Sequence, residues 1–168
     1  VYVGAVSALN PLLQQLRARI SAAPTSSYVG PSGLLDTMLI EAGCYGKSVE
    51  QCHLPAQTTQ GQLGRDTSAA KSDYFNTLLS RQGINTLVNA INARQNDGTT
   101  GGGGFGMDMY GGAINRVASD ATAFVHRTAQ FSMQYTSSWV DGDSSATIAT
   151  AKSWLSTTWQ AMRPYASG

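Results

Sequence analysis

Apolar residues recur along this chain with two different periods, and the switches between them mark out its elements. After a short β-like start over Val1 to Val3, Leu12, Leu13, Leu16 and Ile20 share one helical face while Gln14, Arg17 and Arg19 take the other. That spacing predicts an amphipathic surface helix. Asn10 is placed to cap it, and Pro11 would sit in the first turn, where its missing N–H does no harm. A second helix is predicted from Pro31, with Leu34, Leu35, Met38 and Leu39 as its stripe and Gly43 as its stop. From Cys44 to Thr67 the chain is rich in Gln, Gly, Thr and Ser and loses all periodicity, which reads as a long loop.

The stretch Ala69 to Leu78 suits either a helix or a strand, and the extended reading is preferred through Lys71, Ser72, Asp73, Tyr74 and Phe75. Ser80 then caps a third helix carrying Ile84, Leu87, Val88 and Ile91 on one side and closing at Asn96, Asp97 and Gly98. The run Gly101 to Gly104 lies between a helix and a strand, the reverse of a phosphate-cradling loop, and is expected to be a flexible connector. From Phe105 the period becomes two: Phe105, Met107 and Met109 alternate with Gly106, Asp108 and Tyr110. Gly111 and Gly112 permit a bend, and Ala113 to Val117 can continue as another strand. The alternation returns at Phe131, Met133 and Tyr135, opposite Ser132, Gln134 and Thr136. A last helix from about Ser144 presents Ile148, Ala151, Leu155, Trp159 and Met162 and stops at Pro164.

Half-polar strands of this kind do not build a parallel sheet covered on both faces. The predicted class is α+β, an antiparallel sheet with helices packed on one face and the other free for polar work. At 168 residues the chain is long enough for one compact domain with a core. A net charge of +1 without a basic stripe points away from nucleic acid and anionic membranes as partners, and no apolar run approaches a bilayer span. The chain opens at Val1 without an initiator Met and closes soon after Pro164 and Tyr165, so both ends are expected to be cuts within a longer polypeptide.

Candidate chemistry is sparse. There is no nucleophile elbow and no dinucleotide fingerprint. Cys44 and Cys52, followed by His53, fall short of a four-ligand metal site, leaving either two inert thiols or a local disulfide that would point to an oxidising compartment. Asp108, between Met107 and Met109, reads either as a site carboxylate in a partly apolar setting or as a solvated one. His126 and Arg127 suit proton transfer and anion pairing, or else a structural role bonding backbone carbonyls and a carboxylate such as Asp120. Gln134, between Met133 and Tyr135, could orient a substrate hydroxyl or bond across the sheet.

The run from Asp108 through Tyr110-Gly-Gly to His126-Arg127, then Phe131-Ser-Met-Gln-Tyr and Trp139, resembles the berberine-bridge-enzyme-like branch of the vanillyl-alcohol-oxidase superfamily. Ala70-Lys-Ser-Asp-Tyr-Phe and Leu79-Ser-Arg-Gln-Gly-Ile are similar to the same family's lead-in to a substrate-domain helix. The resemblance implies an FAD-dependent oxidoreductase of two domains, of which residues 1–168 are part of the substrate-binding one. The FAD-binding domain and a C-terminal segment with the pattern Asn-Tyr-x-Asp would then lie outside this chain, which on its own would neither hold FAD nor turn over substrate. Asp108 stands where oligosaccharide-oxidase members place an Asp that assists a catalytic Tyr, and Gln134 where they place a substrate-facing Gln. Tyr110, on the face of Asp108, is read with Gln134 as substrate-binding. Asp108, where plant alkaloid and cannabinoid members often carry Tyr or another residue, tilts the reading toward a sugar or other alcohol, and Met133, where some plant members place an acid, weakens the alkaloid reading. A secondary-metabolite oxidase and a non-catalytic binding module are the alternatives. The expected partners are the remainder of the same polypeptide and a small-molecule substrate, and a Cys44–Cys52 bridge would favour a secreted or periplasmic protein.

Overall fold

The structure, a computed structural model, describes residues 2, 4–65 and 67–167. The strand expected at the start falls on Val1 and Val3, outside the described residues. Contacts divide the chain into two compact units, Val1–Arg65 and Asp66–Gly168.

The first unit holds helix α1 (Val6–Arg17) and helix α2 (Leu34–Glu41). Helix α1 begins earlier than expected: Ala5 is its N-cap, Asn10 is helical and Pro11 lies inside. Pro11 falls five residues after Val6, so it forgoes one intrahelical hydrogen bond rather than marking the first turn. Helix α2 starts three residues after Pro31, and Gly43 follows it at φ 71°, the left-handed region that suits glycine just past a helix. Neither helix buries a residue within its unit. Cys44 is fully buried and bonded to Cys52 in a disulfide with Cα atoms 5.7 Å apart. Backbone bonds from Gln62 N to Gln51 O and from Leu63 N to His53 O fold the rest of the loop back on that bridge.

The second unit is α+β. Strands β1 (Thr67–Phe75), β2 (Gly103–Met109) and β3 (Phe131–Trp139) form an antiparallel sheet in the order β1-β3-β2. Helices α3 (Arg81–Gln95) and α4 (Ser145–Met162) pack on one face. The expected Ser80 cap forms, its Oγ accepting from Gly83 N, and Ser144, where the last helix is expected to begin, caps α4 with its Oγ accepting from Thr147 N. Phe75, Phe131, Met133 and Tyr135 turn to the helices and meet Leu87, Trp154, Leu155 and Met162. Trp154 and Thr158 join the buried stripe of α4, beyond the residues whose spacing announced it.

Three expectations about the β2 region are corrected. Gly101 to Gly104 is no loose connector: Gly103 and Gly104 are strand residues, and a Cβ at Gly101 or Gly103 would overlap the Ser138 carbonyl or the Arg94 side chain. Residues 113 to 117 form no strand, because Ile114–Arg116 turns as a 3-10 helix. Met107 and Met109 share the parity of Phe105, yet they are 50% and 67% exposed. Parity sets the direction of a side chain; cover requires a neighbouring element, and β2 is an edge strand whose far end no helix of this unit covers.

Candidate functional site

The face opposite the helices is assembled by register. Across the sheet, Tyr74, Ser132 and Asp108 form one row, Ser72, Gln134 and Gly106 the next, and Ala70, Thr136 and Gly104 a third. Asp108 and Gln134 therefore project from adjacent strands to the same side, away from the core, because Met133 and Tyr135 have taken the other side. Both are exposed. Among the described residues no hydrogen bond or ion pair reaches the Asp108 side chain, so its setting is open, not the partly apolar one its methionine neighbours suggested. Those methionines turn to the other side.

The middle of this face is flat and free. A Cβ added at Gly104 or Gly106 would meet nothing within 4 Å. One end is walled by the connection between β2 and β3, which Tyr110 N to Gln130 O and Gln130 N to Phe75 O hold against the strand ends at 2.7 Å each. The wall is aromatic. His126 stacks on Tyr74 with ring centroids 3.9 Å apart, and Tyr110 lies 6.0 Å from Tyr74. Phe124 meets all three rings edge-on at 5.7 to 5.8 Å. Burial, and then the neighbouring Tyr110 hydroxyl, push the Tyr74 phenol above its ordinary pKa.

His126 and Arg127 thus take a structural role, with one change of partner. Arg127 donates to Ile114 O and to Thr122 Oγ1 and lies over the Phe124 ring, and no bond to Asp120 is formed. Of the residues singled out in the sequence, Asp108, Gln134 and Tyr110 come together on one face, and His126 joins them through Tyr74. Tyr74 and Phe124 were missed. Alternation with buried Asp73 and Phe75 could have placed Tyr74 on this face; nothing local announces its stack with His126, 52 positions on.

On the helix side Asp73 is buried and paired with Arg163 at 2.5 Å. Burial, with Asp73 close by, pushes the Tyr135 phenol far above its ordinary range, so it stays neutral. This cluster pins β1 to the end of α4 and leaves the opposite face to Ser72 and Tyr74. Among the described residues no group of three or more His, Cys, Asp or Glu side chains could hold a metal ion, and no helix is long and apolar enough to cross a membrane.

No family model matches the chain. Berberine bridge enzyme-like D-1 of Nicotiana tabacum is 32% identical over 102 residues, and Berberine bridge enzyme-like 9 of Arabidopsis thaliana 34% over the same length. Each alignment covers 58% of this chain and 17% of the relative. The structure of Physcomitrella patens BBE-like 1 superposes on 99% of this chain at TM-score 0.74 and 29% identity. The chain is similar to berberine bridge enzyme-like proteins. It spans about a sixth of the curated relatives' length and 33% of the moss protein's chain. The α+β fold of this chain is accordingly similar to part of the moss structure.

The face fits one part of a flavoprotein site and not another. Its flat floor of Ser72, Gln134, Gly104 and Gly106 suits a planar ring or a small substrate laid against it. The run Gly101 to Gly104, with two carbonyls tied down by Arg94 and Gly102 N donating to Ser138 Oγ, leads into strand β2 and not into a helix N-terminus of the kind that receives a pyrophosphate.

Proposed function

We propose that residues 1–168 are the substrate-facing part of an FAD-dependent oxidoreductase that oxidises an alcohol, with a carbohydrate-type hydroxyl as the preferred substrate. The observation that carries this reading is the open polar face on which Asp108 and Gln134 stand on adjacent strands over a glycine-lined floor. FAD, held mainly by parts of the polypeptide outside this chain, supplies the hydride acceptor when bound. The residues of this chain orient and deprotonate. Gln134 has both a donor and an acceptor for a substrate hydroxyl. Asp108, exposed and unpaired among the described residues, accepts a hydrogen bond and takes up or relays the hydroxyl proton, with a tyrosine contributed from outside 1–168. Tyr110 closes the same end of the face. The Cys44–Cys52 bridge supports an oxidising compartment, hence a secreted or periplasmic protein.

The test is Asp108→Asn in the full-length polypeptide. Turnover of the alcohol should fall by roughly 100-fold or more, the range of a lost general acid–base group. The thermal melting temperature should hold, because Asp108 is exposed and its side chain makes no hydrogen bond or ion pair among the described residues. Full turnover in the Asn variant would remove the catalytic role and leave the likeness as one of fold.

A further inference from the structure

We propose that Tyr74 is a specificity residue of the same face: its hydroxyl, beside that of Tyr110, hydrogen-bonds a second substrate hydroxyl adjacent to the one oxidised at Asp108, and His126 is the positioning residue that holds the ring. The inference rests on the alcohol-oxidising reading and narrows its substrate class to compounds with vicinal hydroxyls.

Three observations support it. Tyr74 and Asp108 occupy the same row on either side of Ser132, so their backbones stand about 10 Å apart at the usual strand spacing, close enough for both side chains to reach one small substrate laid over Ser132. Apart from each other, the Tyr74 and Tyr110 hydroxyls have no protein partner among the described residues. The connection that carries His126 already has its own anchors in the backbone bonds of Gln130 and in Asn115 Nδ2 to Ala129 O at 2.9 Å, so the hydroxyls are not needed to hold it. A phenol so placed, stacked at 3.9 Å on an imidazole and edged by Phe124, has lost its rotamer freedom before any ligand arrives. Such pre-organisation makes a hydrogen bond to a substrate selective. A site that bonds a particular hydroxyl discriminates strongly against the analogue lacking it, because its own polar group is then left without a partner.

The experiment uses the full-length polypeptide with trans-1,2-cyclohexanediol and cyclohexanol as probes, and follows kcat and KM together with the dissociation constant by calorimetry. The wild-type protein should prefer the diol by at least about tenfold in kcat/KM, the value of one neutral hydrogen bond. Tyr74→Phe should cut kcat/KM for the diol about tenfold more than for cyclohexanol, mainly through KM, with a matching loss in calorimetric affinity. His126→Phe, which keeps a stacking ring, should retain the preference, and His126→Ala should lose part of it. An unchanged preference in a Tyr74→Phe variant that melts like the wild type overturns the assignment of Tyr74. Equal behaviour of His126→Phe and His126→Ala overturns the positioning role. If Asp108→Asn leaves both probes untouched, or neither is oxidised, the parent reading itself falls, a result distinct from a lost preference.

Discussion

Arg94 makes the case at the scale of single residues. Its side chain is 4% exposed, and it donates to the carbonyls of Gly101, Gly102 and Ser138, to Asp97 at 2.9 Å and to Thr99. One planar fork thus ties the end of α3 to the starts of β2 and the end of β3, a geometry a lysine cannot copy. Arg94→Ala should cost about 2–3 kcal/mol in chemical denaturation, since it takes a donor from the Gly101 and Ser138 carbonyls and the charge partner from Asp97, and Arg94→Lys should restore less than half. The paired carboxylate has its own signature. Partial burial raises the pKa of Asp97, but bonds from Thr99 and Arg94 outweigh it and hold the carboxyl below the usual range. A carboxylate depressed in the folded state adds stability that is present above its unfolded pKa and is lost as pH falls through the folded value. Acid unfolding followed below about pH 4 should therefore be less steep in Asp97→Asn than in the wild type.

At the scale of elements, the first unit shows how little apolar packing a segment needs when a covalent bond closes it. Its helices bury nothing within the unit, and Cys44 is its one fully buried side chain among the described residues. Closing so short a loop removes about 2–3 kcal/mol of denatured-state freedom. Reduction, or Cys52→Ser, should therefore strip hydrogen-exchange protection from the amides of Lys47, Cys52, Gln62 and Leu63, which now bond to Cys44, Ser48, Gln51 and His53 carbonyls. Retained protection would mean that the turns of this loop suffice without the bridge. The edge strand β2 carries the opposite lesson: its methionines are aimed at a core that no helix of this unit extends to, so direction and burial part company there.

For the whole molecule, the likeness to the moss structure covers 99% of a chain that spans 17% of the curated relatives. A face that suits a flat ring but offers nothing to a pyrophosphate should not retain a dinucleotide by itself. The isolated 168-residue chain mixed with FAD and desalted should come out colourless, with no stoichiometric absorbance near 450 nm. A yellow, stoichiometric complex would show that these residues hold the flavin unaided.

Much of this was legible from one dimension. Alternation at Phe105–Met109 and Phe131–Tyr135 located two strands of the sheet, an extended reading is preferred for the ambiguous Lys71–Phe75, and Ser80 and Ser144 marked two helix starts, because such signals depend only on neighbours a few residues away. Parity alone also put Asp108 and Gln134 on the side opposite the core. What only the tertiary structure decided were matters of which distant element arrives. Met107 and Met109 stay exposed because no helix reaches the far end of an edge strand, and Gly101 to Gly104 is held tight because Arg94 and Ser138 close on it. The wall of the candidate site exists because the long connection after Tyr110 returns His126 to Tyr74. Local periodicity fixes the direction in which a side chain points; only the path of the rest of the chain fixes what it meets.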